Sequence, residues 1–302
     1  MWEQLVDLVP MYALGIYAVL IAIELIFESK QEVHAYRLND TLCGLSMGGF
    51  YLGTKALMKG VTFALFFLVH EYALFDFGTS WAAFIACYFV MDFLVYCYHR
   101  FTHEVRLGWA AHVAHHSSQQ FNLGATSFRQ SFAEPFMEPF FYAVAALVGF
   151  DPMMALVALE VNLIYMFWVH LRRCGKLHPW IEFVFSTPSH HRVHHARNAQ
   201  YLDKNYGGTF IFWDRLFGTF EEEREEPAFG ILRQLNHDNP IKASLDSYRD
   251  LIADVRRAKG LRNKLGYLFM PPGWAPDGKG LTTRQWQRIA GREEFPTVNE
   301  AA

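Results

Sequence analysis

The hydrophobic positions of this chain fall into long runs within its first 170 residues. The runs cover Val9–Phe27, Leu42–Met58, Val61–Phe75, Trp81–Tyr98, Phe136–Phe150 and Met153–Trp168. A helix needs about 20 mostly apolar residues to cross a bilayer. The second and third runs are divided near Lys59, and the last two are short and joined at Asp151-Pro152, a turn signal. The pattern predicts an all-α integral membrane protein with about four to six transmembrane or re-entrant helices.

Beyond residue 170 no further run reaches spanning length, and the pattern becomes amphipathic or polar. Ser244–Leu261 places its apolar residues on one helical stripe, with Gly260 as a C-cap signal. The acidic run 221–226 is typical of a solvated loop. We therefore expect a helical cap outside the membrane.

Composition supports a membrane protein. Hydrophobic residues make up 52% of the chain and charged residues only 19%, whereas soluble domains average about 45–50% and about 25%. A net charge of -3 provides no basic surface, so we expect no nucleic-acid partner. The four cysteines form no C-x-x-C pair, which argues against a disulfide framework and a thiolate zinc site.

Several carboxylates interrupt the apolar runs, namely Glu24, Glu71, Asp92, Glu138 and Glu160. An ionisable group at the bilayer centre costs about 2.5–3.5 kcal/mol on insertion scales, so these groups should face the interior of the helix bundle. Most are predicted to be structural hydrogen-bonding groups. Asp92 is a candidate catalytic residue, because it lies two helical turns before His99 on a similar face.

Eleven of the 14 histidines fall between residues 99 and 195, most of them in three groups. The groups are His99 and His103, then His112, His115 and His116, and then His190, His191, His194 and His195. Spacings of three and four residues place side chains on one helical face about 5–6 Å apart. Since neutral imidazole is the commonest metal-ligating side chain, the groups predict a metal site. His34, His70 and His237 are interpreted as ordinary histidines.

The residue types narrow the choice of metal. The absence of thiolate ligands disfavours Cu(I) and structural zinc, and imidazole suits iron as well as zinc. Eight or more histidines suffice for two ions with open positions, so an oxygen-activating dinuclear iron site is favoured. A zinc-dependent membrane hydrolase with Glu104 as general base and a metal transporter are the alternatives. The clustering of histidines at one end of the helices favours a fixed site over a transport path.

The three boxes, H-x3-H followed by two copies of H-x2-H-H, resemble those of the sterol desaturase and fatty acid hydroxylase superfamily of integral-membrane non-haem diiron enzymes. Intervening segments favour its alkylglycerol monooxygenase branch and related bacterial lipid hydroxylases. These segments are Asn122-Leu123, Arg129-Gln130-Ser131, Phe167-Trp168-Val169-His170, 203–208 and 213–220.

The resemblance implies a set of functional residues. The metal ligands would be His99, His103, His112, His115, His116, His191, His194 and His195, with His170 as a further family histidine and His190 adjacent to a box. Glu104 matches an acidic residue that this branch uses, and Tyr206 is a candidate hydrogen-bonding group behind the ligands. Arg100 and Arg192 are expected to pair with carboxylates, which Asp92 or Glu104 can supply.

The resemblance also implies a reaction. The expected activity is O2-dependent hydroxylation of a lipid such as an ether lipid, a fatty acyl chain or a sterol, and desaturation on the same site is the alternative. The expected cofactors are two iron ions, O2 and an external electron donor of the reduced pterin, ferredoxin or cytochrome b5 type. The sequence contains no His-Pro-Gly-Gly haem-binding signature, so the donor is expected to be a separate molecule.

These expectations define three parts and a topology. Residues 1–80 would be N-terminal membrane helices, 81–220 the hydroxylase-type catalytic domain, and 221–302 a soluble cytosolic segment. The positive-inside rule places the histidine side in the cytoplasm, because it carries Arg100, Arg106, Arg129, Arg172, Arg173 and Lys176. The N-terminus lies on that side if the first four runs all span, and on the other side if the second and third form one re-entrant unit.

Overall fold

The computed structural model describes residues 1–30 and 36–290, so His34 and residues 291–302 lie outside the described range. Within that range the regular elements are helical, apart from isolated bridges that pair Phe185 with Phe210 and Ala196 with Phe229. The helices are α1 (Trp2–Glu28), α2 (Leu38–His70), α3 (Trp81–Glu104), α4 (Arg106–His116), α5 (Glu138–Tyr142), α6 (Val144–Val148), α7 (Pro152–Trp168), α8 (Pro179–Val184), α9 (Pro188–His194), α10 (Phe212–Phe217), α11 (Pro240–Arg257), α12 (Leu261–Phe269) and α13 (Thr283–Ala290). The all-α prediction is confirmed.

Three helices of the described chain, α1, α2 and α3, are long and apolar enough to cross a membrane. Large apolar side chains of α1 and α2 remain exposed, as Leu57 shows at 84%, which is the arrangement expected of surfaces that face lipid. The chain is therefore a membrane protein.

The division predicted near Lys59 is wrong, because the second and third apolar runs form the single 33-residue helix α2. Lys59 pairs with Asp7 of α1 at 2.9 Å. The neighbouring Gly60 does not break the helix, since one glycine costs a helix only about 1 kcal/mol.

The fifth and sixth apolar runs form the predicted hairpin. Its descending arm is broken into a 3-10 turn (Glu134–Phe136), α5 and α6, and prolines at 135 and 139 explain the interruption because they lack an N–H donor. At the tip, Phe150 stacks on Phe77 with ring centroids 4.6 Å apart. Asp151 then caps α7 by accepting a hydrogen bond from Met154 N at 2.9 Å.

The N-terminus lies at the end of the bundle opposite the histidines. Trp2 Nε1 donates to Thr79 O at 3.1 Å, and the Trp2 ring lies 5.2 Å from that of Trp81. The start of α1 is therefore beside the start of α3, whose other end carries His99 and His103. Of the two positions of the N-terminus left open by the sequence, the structure agrees with the one on the side opposite the histidines. The second and third runs form one continuous helix rather than a re-entrant unit.

Asp92 is a structural anchor within α3. Its buried carboxylate accepts hydrogen bonds from Thr209 N at 2.6 Å, Trp213 Nε1 at 2.8 Å and the side-chain amide of Asn162 in α7. The carboxylate thereby fastens the 206–213 segment to two membrane helices. We had expected Asp92 at the reaction centre, but these donors instead occupy its oxygens.

Other carboxylates of the apolar helices also make structural contacts. Glu24 accepts from Leu123 N at 2.9 Å, and Asp40 pairs with Arg129 Nη1 at 2.8 Å. Together they hold the buried 117–131 loop against α1 and α2. Deeper in the bundle, Glu160 pairs with Lys55 at 2.7 Å and Glu138 accepts from Tyr51 at 3.2 Å, whereas Glu71 is exposed at the end of α2.

The cap contains α11, which packs against α4, α2 and α12. This helix covers Pro240–Arg257 rather than the predicted Ser244–Leu261. Asn239 caps its start through Ile241 N at 3.1 Å. Gly260 adopts a positive φ of 78° between α11 and α12, a conformation that favours glycine.

The anchor role of Asp92 makes a testable prediction. Asp92→Asn keeps the shape but turns an amide N–H₂ toward backbone and indole donors, so we expect a loss of about 1–3 kcal/mol in stability. Thermal unfolding in lipid nanodiscs measures the loss. The matched control is Asp7→Asn, whose exposed ion pair is worth at most about 1 kcal/mol. Equal effects of the two substitutions would contradict the anchor role.

Candidate metal centre

Nine buried histidines converge in two groups at the end of the membrane bundle. Within each group, ligand atoms of the rings lie within 4.8 Å of one another. The first group, here called site A, consists of His99, His103, His112, His116 and His194. The second, site B, consists of His115, His170, His191 and His195.

Two short helices supply both sites. In α4, His112 and His116 face site A while His115 faces site B. In α9 and its C-cap residue, His194 faces site A while His191 and His195 face site B. The sites are therefore adjacent, with the rings of His116 and His195 stacked 4.3 Å apart. The histidines of each box were expected to converge on one point. The structure instead divides the second and third boxes between sites A and B.

The distances between ring nitrogens fit common metal ions. Nε2 of His103 lies 3.1 Å from Nε2 of His116 in site A. In site B, Nε2 of His191 lies 2.9 Å from Nε2 of His170 and 3.1 Å from Nε2 of His195. Two nitrogens bound about 2.0–2.1 Å from one ion, at right or tetrahedral angles, are about 2.9–3.4 Å apart.

Most of these rings are oriented by a partner on Nδ1. Backbone carbonyls face Nδ1 of His99 (Tyr206 O, 2.9 Å), His194 (Lys204 O, 2.9 Å) and His170 (Met166 O, 3.1 Å). Carboxylates face Nδ1 of His103 (Asp203 Oδ1, 3.3 Å) and His112 (Glu134 Oε1, 3.1 Å), whereas Nδ1 of His115 faces the amide nitrogen of Gln130 at 3.1 Å. An acceptor on Nδ1 fixes the tautomer with a free Nε2 lone pair.

Two of the free nitrogens are orphaned. Nε2 of His112 and Nε2 of His194 are buried and have no hydrogen-bond partner in the described part of the chain. Leaving a buried polar atom unpaired costs about 1–3 kcal/mol. A metal ion in site A would satisfy both atoms, so the histidines of site A fit a metal ion.

Burial keeps the imidazoles neutral. Desolvation, together with neighbouring histidines, holds the pKa well below the usual value for His115, His116, His191, His194 and His195. Burial lowers the pKa of His170 to about 4. Since only neutral imidazole ligates metals, these rings are in the ligand form near neutral pH.

His190 lies outside both sites, although its position beside a box made it a candidate ligand. Its Nδ1 accepts from Thr187 N at 3.3 Å in a capping box that starts α9. Its Nε2 lies 3.0 Å from Glu182 Oε2. Both ring nitrogens are therefore engaged in holding the helix start.

Glu104 and Tyr206 occupy different positions. Glu104 pairs with Arg100 at 2.9 Å, as one of the two predicted partners, and is one-third exposed. Tyr206 is buried, with its ring centroid 5.3 Å from that of His103. Its hydroxyl is buried and has no partner among the described residues.

Arg192 has a partner that the sequence did not indicate. Its guanidinium makes two hydrogen bonds to Glu223, at 2.8 and 2.7 Å, although the 221–226 run was interpreted as a solvated loop. His70 and His237 have the ordinary roles expected of them, because His70 Nδ1 lies 3.1 Å from Ala146 O and His237 pairs with Asp246 at 2.9 Å.

Three residues behind the ligands were missed from the sequence, namely Gln130, Glu134 and Asp203. Glu134 follows His112 by 22 positions, so no helical spacing connects them. Asp203 adopts a positive φ of 55°, an uncommon conformation for a non-glycine residue that directs its carboxylate at His103. The folded 117–136 segment brings the first two residues into place.

Comparison with known proteins agrees with this arrangement. The fatty acid hydroxylase family profile matches residues 84–219. The chain is 35% identical over 288 residues to alkylglycerol monooxygenase from Xenopus tropicalis and 36% identical over 265 residues to the Homo sapiens protein of that name. These alignments cover 93% and 87% of this chain but 61% and 57% of the relatives.

A more distant relative is the ornithine lipid hydroxylase of Rhizobium tropici, 30% identical over 139 residues, or 43% of this chain and 39% of the relative. No solved structure is significantly similar to the chain. All nine converging histidines lie within the matched residues, eight of them in the three boxes and the ninth, His170, between the second and third boxes. Residues 84–219 of the chain are therefore similar to the fatty acid hydroxylase family.

Proposed function

We propose that the chain is an O2-dependent lipid hydroxylase whose sites A and B each hold one iron ion. The convergence of nine buried imidazoles in two adjacent groups carries the proposal. The match to the fatty acid hydroxylase family supports hydroxylation, and relatives named monooxygenase support O2 as the oxidant. When bound, the ions supply the oxidising chemistry.

In this proposal the chain itself supplies placement and orientation. Ligands would be His99, His103, His112, His116 and His194 at site A, and His115, His170, His191 and His195 at site B. Glu134 and Asp203 hold the rings of His112 and His103 and raise their basicity as ligands. The Tyr206 hydroxyl, which has no partner among the described residues, donates a hydrogen bond to a group bound beside site A.

We infer that the substrate is a lipid that enters from the bilayer and that the histidine end faces the cytoplasm. The loop at the opposite end, residues 71–80, contains two acidic residues and no lysine or arginine, whereas the histidine end is basic. The positive-inside rule favours this orientation. Electrons come from a separate reductant or donor protein on the same side.

Removing one ligand should remove the activity. His115→Ala leaves site B with three imidazoles, and we expect iron content to fall below half of wild type and lipid oxidation to be lost. Elemental analysis and oxygen uptake measure the two quantities. His237→Ala, which alters a partly exposed ion pair in the cap, is the matched control and should retain both. Full activity in His115→Ala would refute the proposal.

The carboxylate behind His112 should tune metal affinity. Glu134→Gln keeps the shape but removes the charge that holds Nδ1, so we expect about tenfold weaker iron binding, the lower end of the range for such partners. Chelator competition measures the affinity. Glu222→Gln, at an exposed ion pair with Lys176, should leave it unchanged. Unchanged affinity in Glu134→Gln would contradict this role of the Glu134 carboxylate.

The reaction class is decided by three readouts on the purified, membrane-reconstituted chain. Two irons per chain, oxygen uptake and a lipid product heavier by one oxygen atom are expected. A product lighter by two hydrogens would indicate desaturation. Stoichiometric zinc without oxygen uptake would indicate the hydrolase alternative.

A further inference from the structure

Two segments on either side of the third histidine box expose apolar side chains beside α3. We call residues 179–186 and 208–217, which include α8 and α10, the collar. Its exposed side chains are Trp180 (62%), Ile181 (40%), Phe183 (61%), Phe185 (36%), Leu216 (69%) and Phe217 (45%). A continuous apolar patch of this kind marks an interaction surface.

The collar reaches far down α3. Phe210 stacks on Phe89, with centroids 4.9 Å apart and planes 3° from parallel, and Thr209 bonds to the Tyr88 hydroxyl at 2.5 Å. At 1.5 Å per residue, Phe89 lies about 12 Å from the Trp81 end of α3, whereas His99 lies about 27 Å from it. The hydrocarbon core is about 30 Å thick, so the contact at Phe89 lies within it when α3 spans the bilayer.

The backbone of the collar is paired internally, as hydrocarbon surroundings require. Ser186 N donates to Thr209 O at 2.8 Å, and Ile211 N donates to Val184 O at 3.1 Å. These bonds join the two segments of the collar to each other. The exposed outer side is thereby left to the side chains.

Two charged side chains of the collar, Glu182 and Arg215, contact protein groups. The Arg215 guanidinium lies over the Phe220 ring at 3.6 Å and the Phe183 ring at 5.1 Å, and it donates to Glu182 O at 3.1 Å. The Glu182 carboxylate accepts from Leu177 N at 2.8 Å and from Thr187 Oγ1 at 3.0 Å. These contacts reduce the cost of placing the two charges beside an apolar surface.

We propose that the collar is immersed in the bilayer leaflet on the histidine side, where acyl chains cover Trp180, Phe183 and Leu216. Its apolar surface is continuous with the lipid-facing side of α3, on which Ile85 is 59% and Phe89 43% exposed. Depth along α3 and this continuity favour lipid over a protein partner.

The fluorescence of Trp180 tests the proposal without reference to metal or turnover. The full chain is reconstituted in vesicles of phosphatidylcholine or its 6,7-dibrominated form, and the Trp180 signal is obtained as wild type minus Trp180→Phe. We expect dibrominated lipid to quench this signal about twofold or more, because the indole lies among acyl chains. Trp274→Phe is the matched control, since Trp274 packs on Tyr267 in the cap at 5.5 Å and its signal should not respond.

Two results would overturn the proposal. Quenching of the Trp180 signal by aqueous iodide, with no response to brominated lipid, would place the collar in water. Protection from both quenchers would show that protein covers it. Phe183→Trp in the Trp180→Phe background repeats the measurement three residues further along α8, and the same response is expected. The outcome therefore does not depend on one substitution.

Discussion

The structure depends on enclosing nine imidazoles at one end of a membrane bundle. Each ring has two nitrogens, and burial makes an unpaired nitrogen costly. For most of the rings, the chain resolves this by giving Nδ1 a carbonyl or a carboxylate acceptor and leaving Nε2 within site A or site B. The Nε2 lone pairs that remain unpaired are suited to binding a cation, and this connects the fold to its chemistry.

That requirement explains the carboxylates in the apolar helices. Glu24, Asp40 and Asp92 lie on three different membrane helices, yet each fastens a segment that orients a ligand ring. Asp92 holds the stretch that presents the Tyr206 carbonyl to His99, and Asp40, through Arg129, holds the loop that carries Gln130 to His115. The membrane helices are therefore a scaffold for hydrogen bonds as well as an anchor.

The features that depend on spacing between nearby residues were predicted from the sequence. The all-helical class, the hairpin of residues 134–168 and the three boxes all follow from run length or from spacings of three and four residues. What failed depends on contacts distant in sequence. His190 is an exception, because its capping contacts with Thr187 and Glu182 are local but cannot be distinguished from ligation by the spacing of the box. Glu134, Asp203 and Glu223 acquire their roles only when loops fold back on the boxes.

The division of a box between two sites follows from helix geometry. Residues spaced by three and by four lie on opposite sides of a helical stripe, because a turn contains 3.6 residues. In α4 the ring at position 115 is therefore rotated from those at 112 and 116, and α9 repeats the offset at 191, 194 and 195. Two short helices with the same H-x2-H-H spacing, facing each other, define two adjacent sites rather than one. The offset between spacings of three and four residues therefore places two groups of imidazoles side by side.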